Sequence, residues 1–176
     1  PPVEVKQQQD TGIKINLKSL IILAPKELQN IIDKEKYYKM TIGVPQSIND
    51  LYNIAFEIER DFNEKGYPLV RVILPVQELE PEQASVFFKV IDGFIEKVDL
   101  SKVPKAQTLR TYAYLKPLIN KKNMTLKLLE RQLLLASNSA GLTLTSSLIP
   151  GVKEGSTRLV IEAKHKLLSG GISFDN

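Results

Sequence analysis

Residues 47–75 read Ser47-Ile48-Asn49-Asp50-Leu51-Tyr52-Asn53-Ile54-Ala55-Phe56-Glu57-Ile58-Glu59-Arg60-Asp61-Phe62-Asn63-Glu64-Lys65-Gly66-Tyr67-Pro68-Leu69-Val70-Arg71-Val72-Ile73-Leu74-Pro75. Ser47 and Asp50 form an S-x-x-D start, a reciprocal cap for the first free N–H groups of a helix. Ile48, Leu51, Ala55, Ile58 and Phe62 then recur at helical spacing, which predicts one buried stripe. Gly66 follows the stripe, where a left-handed residue ends a helix. Tyr67 and Pro68 lead into Leu69 to Leu74, a β-rich run closed by Pro75. The stretch is one helix, a glycine stop and one strand.

The same pattern returns 75 residues later. Leu51, Ile54 and Ile58 fall on Leu126, Leu129 and Leu133, Gly66 on Gly141, Leu69 and Ile73 on Leu144 and Leu148, and Pro75 on Pro150. Repetition of supersecondary units is read before any other feature. Outward from the first copy, Ile13, Ile15 and Leu17 alternate into Leu20-Ile21-Ile22, a strand. Leu28, Ile31 and Ile32 behind Pro25 predict a first helix, and Ser85 to Val90 predict a last strand. Around the second copy, Phe94 to Val98 predict a strand. Leu109, Tyr112 and Ala113 mark a helix up to Leu115, Thr125 caps the helix ended by Gly141, and Leu142 to Leu148 and Leu159 to Ala163 are strands. The expected fold is α+β: two tandem β-α-α-β-β units, each a three-stranded sheet covered on one face by two helices, the other face polar and wet. The expected boundaries are a linker over 1–12, units over 13–92 and 93–166, and the start of a truncated strand over 167–176, with Gly93 at the junction.

Composition narrows the function. The chain has 176 residues, 43% hydrophobic and 25% charged, which is globular. It has no cysteine, so disulfides and thiolate chemistry are excluded. No apolar run approaches the length of a membrane-spanning helix, and the first residues do not read as a signal peptide. His165 is the only histidine, between two lysines at a strand exit. The carboxylate groups Glu57/Glu59/Asp61 and Glu78/Glu80/Glu82 read as a helix outer face and an acidic turn. No phosphate-binding, dinucleotide or zinc-protease motif occurs. The expectation is no enzyme, no metal and no cofactor. Residues 1–92 hold 11 Lys/Arg against 14 Asp/Glu, net −3, and residues 93–176 hold 13 against 6, net +7. The basic half suits nucleic acid, an anionic lipid surface or an acidic partner, or is a solvated lysine-rich surface. Few aromatics outside the core stripes argue against nucleic acid.

Leu51 to Ile54 and Gly66-Tyr67-Pro68 through Pro75 resemble the first POTRA (polypeptide-transport-associated) domain of two-partner secretion transporters, the haemolysin-activator and filamentous-haemagglutinin-transporter family. Val90-Ile91-Asp92-Gly93-Phe94-Ile95-Glu96-Lys97-Val98 resembles that family's junction between its two POTRA domains. Pro117-Leu118, Leu129 to Leu135, Asn138, Gly141 and Leu148-Ile149-Pro150-Gly151 resemble the second domain, although Ser139-Ala140 stands where a proline is usual. Gly170 to Asn176 resembles the start of the outer-membrane β-barrel. The resemblance implies a periplasmic region, at the outer membrane of a Gram-negative bacterium, that captures the secretion domain of an exoprotein and delivers it to the chain's own barrel. It also allows contact with the periplasmic leaflet and leaves no role for nucleic acid. Residues 1–10 would trail from a plug helix. The runner-up is the POTRA arm of an outer-membrane protein assembly factor acting as a chaperone.

An exposed sheet edge suits such capture, because its unpaired N–H and C=O groups can accept an added strand. The strand after each glycine is the expected edge. That names Leu69, Val70, Arg71, Val72 and Ile73 in the first unit, and Leu142, Thr143, Leu144, Thr145, Ser146 and Ser147 in the second. Gly66, Tyr67, Pro68, Gly93 and Gly141 are expected to be structural. Thr145, or its neighbours Leu144 and Ser146, would present the outward N–H.

Overall fold

The computed structural model describes residues 2–4 and 12–165. Most of the expected linker and all of the expected truncated strand lie outside the described residues. The chain divides between Asp92 and Gly93 into two compact units.

In the first unit, β2 (Leu17–Leu23), α1 (Lys34–Thr41), α2 (Ile48–Glu64), β3 (Arg71–Ile73) and β5 (Ala84–Ile91) build a three-stranded sheet of order β2-β5-β3. The last strand lies in the middle, parallel to β2 and antiparallel to β3. α2 starts at the reciprocal cap: Asp50 N donates to Ser47 Oγ (3.0 Å), and Ser47 N donates to Asp50 Oδ2 (2.8 Å). It buries Ile48, Leu51, Ile54, Ala55, Ile58 and Phe62, each worth about 1.5–3 kcal/mol on leaving water for the larger side chains. It faces Val86, Phe88 and Val90 of β5, all buried. Gly66 (φ +95°) closes the helix. Gly66 N donates to Asn63 O and Tyr67 N to Phe62 O, the paired bonds of a Schellman end, and Tyr67 packs on the core beside them.

Three features of this unit differ from expectation. The first helix is not built on Leu28 and Ile32. These are buried in a single turn and its exit, and α1 starts later, capped by Asp33, whose side chain accepts from Glu35 N. α1 buries only Tyr37 and Thr41, so its Lys/Glu-rich sequence shows no apolar stripe. A small antiparallel pair, β1 (Val3–Glu4) with β4 (Glu78–Leu79), uses part of the expected linker and part of the acidic turn. Finally, the sheet face away from the helices is not polar. Ile21 and Leu23 are 45% and 51% exposed there, and Phe87 lies opposite Ile21. The unbroken apolar run Leu20 to Leu23 supplies both faces of β2.

In the second unit, β6 (Phe94–Lys102), α3 (Lys105–Leu115), α4 (Leu126–Ala140), β7 (Leu142–Pro150) and β8 (Ser156–His165) repeat the order, with β8 between β6 and β7. Leu159 and Ile161 of β8 are fully buried under the helices. The outer face carries Thr143, Thr145 and Ser147 opposite Lys164, Glu162 and Val160. α3 is rotated relative to expectation: it buries Thr111 and Leu115, whereas Leu109 is 85% exposed. Gly141 (φ +66°) caps α4, and a Cβ there would meet open space. Gly141→Val is therefore expected to cost only the left-handed backbone strain, about 1–2 kcal/mol. A urea melt showing no loss would mean that the cap relaxes into another conformation.

Candidate functional site

The edges of each sheet are its first and second strands, so β3 and β7 are both edges. They are not equivalent.

In the first unit the expected run 69–73 is reduced to a ladder of three residues. Leu69 and Val70 precede the strand, and both are only 2% exposed. Arg71, Val72 and Ile73 pair with Ile91, Val90 and Lys89. The outward N–H of Val72 is already taken by Glu59 Oε1 of α2 at 3.0 Å. The ladder stops at Pro75, which has no N–H for Phe87. The Gln77 carboxamide replaces it, donating to Phe87 O and accepting from Phe87 N, each at 3.0 Å. Gln77 Nε2 also donates to Pro75 O (3.0 Å). Short, capped and plugged, this edge offers little to another chain.

In the second unit β7 is nine residues long with an unbroken register against β8, from Leu142 opposite His165 to Pro150 opposite Thr157. Backbone groups of an antiparallel strand point alternately toward and away from the neighbour. Leu144 N donates to Ser137 Oγ of α4 (3.2 Å) and so points away from β8. Pro150, six residues on, has no N–H to give the ladder, and proline fits where that side faces solvent. Both observations put Leu144, Ser146 and Leu148 on the free side. Thr145 turns its N–H toward β8, and its hydroxyl donates to Glu162 O (3.4 Å).

A groove of about 340 Å³ runs between α4 and this edge. Leu133, Leu134 and Leu144 supply its apolar lining, and Glu130, Ser137, Asn138 and Thr143 supply the polar atoms. Leu142 is buried, whereas Thr145, Ser146 and Ser147 are exposed. The far end of the edge is fixed by Glu96 of β6, a residue that sequence reasoning missed. Its Oε1 accepts from Val152 N (2.9 Å) and Arg158 Nε (3.3 Å). Those bonds, the Val152 N–H foremost, hold the Glu96 carboxyl below the usual carboxylate range. Gly151 sits against this carboxylate and Ser156 Oγ with no room for a Cβ. Glu96 lies 56 residues from Val152, so only the parallel pairing of β6 with β8 brings them together.

Among the described residues no three His, Cys, Asp or Glu side chains gather as a metal site, and no helix is long and apolar enough to cross a membrane. The arrangement sets the outward amides of Ser146 and Leu148 beside a largely apolar groove.

No family model matches the chain. It is 27% identical over 172 residues to the heme/hemopexin transporter protein HuxB of Haemophilus influenzae, covering 96% of this chain and 30% of that protein. The chain thus spans under a third of the length of the curated relatives it matches. Among solved structures it is similar to CdiB from Escherichia coli (TM-score 0.60, 14% identity, 93% of this chain and 30% of that one). It is also similar to POTRA1-3 of the periplasmic domain of Omp85 from Anabaena (TM-score 0.54, 15% identity, 88% and 67%). The two units have the fold of the POTRA domains in the Omp85 structure, and the chain is similar in sequence to HuxB.

Proposed function

We propose that the chain is the periplasmic substrate-recognition region of a two-partner secretion outer-membrane transporter, and that β7 captures the secretion domain of an exoprotein as an added fourth strand. The observation that carries this reading is the nine-residue free edge with outward amides at Ser146 and Leu148 beside the α4 groove. The likeness to HuxB and CdiB supports the transporter setting. An added strand would pair its backbone with Leu144, Ser146 and Leu148 and set alternate side chains into the groove. The Leu144 amide would exchange Ser137 Oγ for the incoming carbonyl. The polar outer face with Thr143, Thr145 and Ser147 keeps the empty edge soluble. In the first unit the Glu59 cap and the Gln77 plug make β3 the weaker candidate.

The test is a proline series read by pull-down of the purified secretion domain of an exoprotein sought in the reading frame next to this chain's gene. Ser146→Pro and Leu148→Pro remove a free donor and place a ring on the docking side. Each is expected to weaken capture about tenfold or more while the circular dichroism melt stays close to the parent, as Pro150 already does in the same strand. Thr145→Pro removes an amide facing β8 and should lower the melt itself. Folded Ser146→Pro and Leu148→Pro proteins that bind like the parent would end the proposal. The Omp85 likeness keeps the chaperone-arm reading as the competitor. Capture of an unfolded outer-membrane β-barrel protein, with no capture of the secretion domain, would favour that reading.

A further inference from the structure

From residue 100 to residue 129 the chain contains seven cations (Lys102, Lys105, Arg110, Lys116, Lys121, Lys122 and Lys127) and no Asp or Glu. Thirty residues of one sign, in a protein with nearly as many acids as bases, are not the even mixture of a merely solvated surface. The run covers α3, the turn after it and the start of α4.

The orientation of α3 makes this charge more specific. Lys105, Leu109, Tyr112 and Lys116 recur at i, i+4, i+7 and i+11, which sets them on one stripe of the helix. That stripe is turned out. Leu109 is 85% exposed, more than any other large hydrophobic residue described, and Tyr112 is 37% exposed. α4 holds the other flank of α3, where Arg110 Nη1 donates to Ser139 O (3.2 Å) and Gln132 Nε2 donates to Tyr114 O (2.8 Å). The core contact is made by Thr111 and Leu115. Thr111 is fully buried, and its hydroxyl has no hydrogen-bond partner. A threonine is thus inside and a leucine outside on the same helix, the reverse of what stability alone favours. Such a local inversion is expected where a surface is kept for an interaction. The acid of α4, Glu130, lines the groove against β7, and no described ion pair involves Lys105, Lys116, Lys121 or Lys122.

We propose that the outer stripe of α3, with Lys121 and Lys122 in the turn beyond it, docks on an anionic phospholipid surface. Lysines flanking a leucine and a tyrosine match that partner at two levels. The ammonium groups meet the phosphate layer, while Leu109 and the Tyr112 ring enter the headgroup boundary. A single exposed leucine does not anchor a protein to a neutral bilayer, so binding should require anionic lipid and weaken with salt. An acidic protein segment would satisfy the charges but leave Leu109 without a purpose, and a duplex nucleic acid likewise. The site is separate from β7, so it stands or falls independently of cargo capture.

The experiment is vesicle flotation of the 176-residue chain with phosphatidylcholine vesicles carrying about 30% phosphatidylglycerol, against pure phosphatidylcholine, in 0.1 M and 0.5 M NaCl. Binding is expected on the anionic vesicles alone and is expected to be lost in high salt. Lys105→Gln/Lys116→Gln should bind about thirtyfold more weakly, the loss expected for two cations at an anionic bilayer. Leu109→Ser should lose about tenfold, since most of one leucine returns to water. Lys26→Gln/Lys34→Gln in the first unit removes the same charge and should bind like the parent. All four positions are exposed lysines, so unchanged far-UV circular dichroism is expected throughout. Equal binding to neutral vesicles, equal weakening by the control pair, or binding to polyglutamate or duplex DNA without binding to anionic vesicles would each overturn the proposal.

Discussion

Phe88→Ala is expected to destabilise the first unit by about 3–5 kcal/mol and to leave the second unit's unfolding in place. Phe88 is fully buried at the centre of β5, opposite Ile22 of β2 and under the α2 stripe. Removing its ring leaves a cavity that three strands cannot close, because the sheet is fixed on both sides of it. β5 and β6 belong to different sheets although only Asp92 and Gly93 separate them. Hydrogen exchange followed by mass spectrometry resolves the two units in one sample. Amide protection should drop across 17–91 and persist across 94–165. Equal loss in both would show that the chain unfolds as a single cooperative body, against the division at Asp92.

The second large effect depends on pH and centres on Tyr37. Its hydroxyl donates to Asp61 Oδ2 at 2.8 Å, joining α1 to α2, and Asp61 is also paired with Lys65. Burial first, and then the Asp61 carboxylate, push the Tyr37 phenol above the ordinary tyrosine range. The unfolded tyrosine ionises near pH 10 while the folded one resists, so stability is intact below about pH 10 and falls as pH rises beyond it. For Asp61 burial opposes ionisation, but the hydrogen bonds from Lys65 and Tyr37 outweigh it and the net shift is downward. Its contribution is present above the unfolded value of about 4 and is lost as pH drops through the folded one. Tyr37→Phe removes a bond to a charged acceptor and should cost about 1.5–3 kcal/mol at neutral pH. In thermal melts from pH 2 to 12 the gap between parent and variant should narrow above pH 10. A constant gap across that range would sink this account.

What could be read from the sequence was local. The Ser47/Asp50 cap, the α2 stripe and the two helix-ending glycines all lie within a few residues of their partners. The repeat then extended one clear unit to a less clear one. What escaped reading depended on long-range pairing or on inversion. β1 and β4 are two residues each and exist only because they meet across more than 70 positions. α1 buries a tyrosine and a threonine among lysines, so it had no apolar period to detect. α3 was expected with Leu109 inward, since an exposed leucine beside a buried threonine violates the pattern being used. At the edge, the strand itself was legible, but the direction of each amide was not. That needed Ser137 over Leu144, and in the other unit Glu59 over Val72. The Gln77 plug was hidden for the same reason: nothing in Pro75-Val76-Gln77 announces a side chain standing in for a strand.

The placing of β5 and β8 at the middle of their sheets has a consequence for how the protein comes into being. A chain is made from its N-terminus, so in each unit the two outer strands and both helices exist before the strand that joins them. Until residue 91 has emerged, β2 and β3 have no common neighbour, and the same holds for β6 and β7 until about residue 165. Each unit must wait for its last strand before its sheet can pair; β7 and β8 can then zip as a hairpin, whereas β2 and β6 must be joined across long parallel connections. The parallel pairs, Leu17 with Ala84 and Phe94 with Ser156, join residues more than sixty positions apart, a loop closure that sets a slow rate. During that wait the apolar faces of α2 and α4 lie uncovered, and a holding chaperone would find its longest opportunity there.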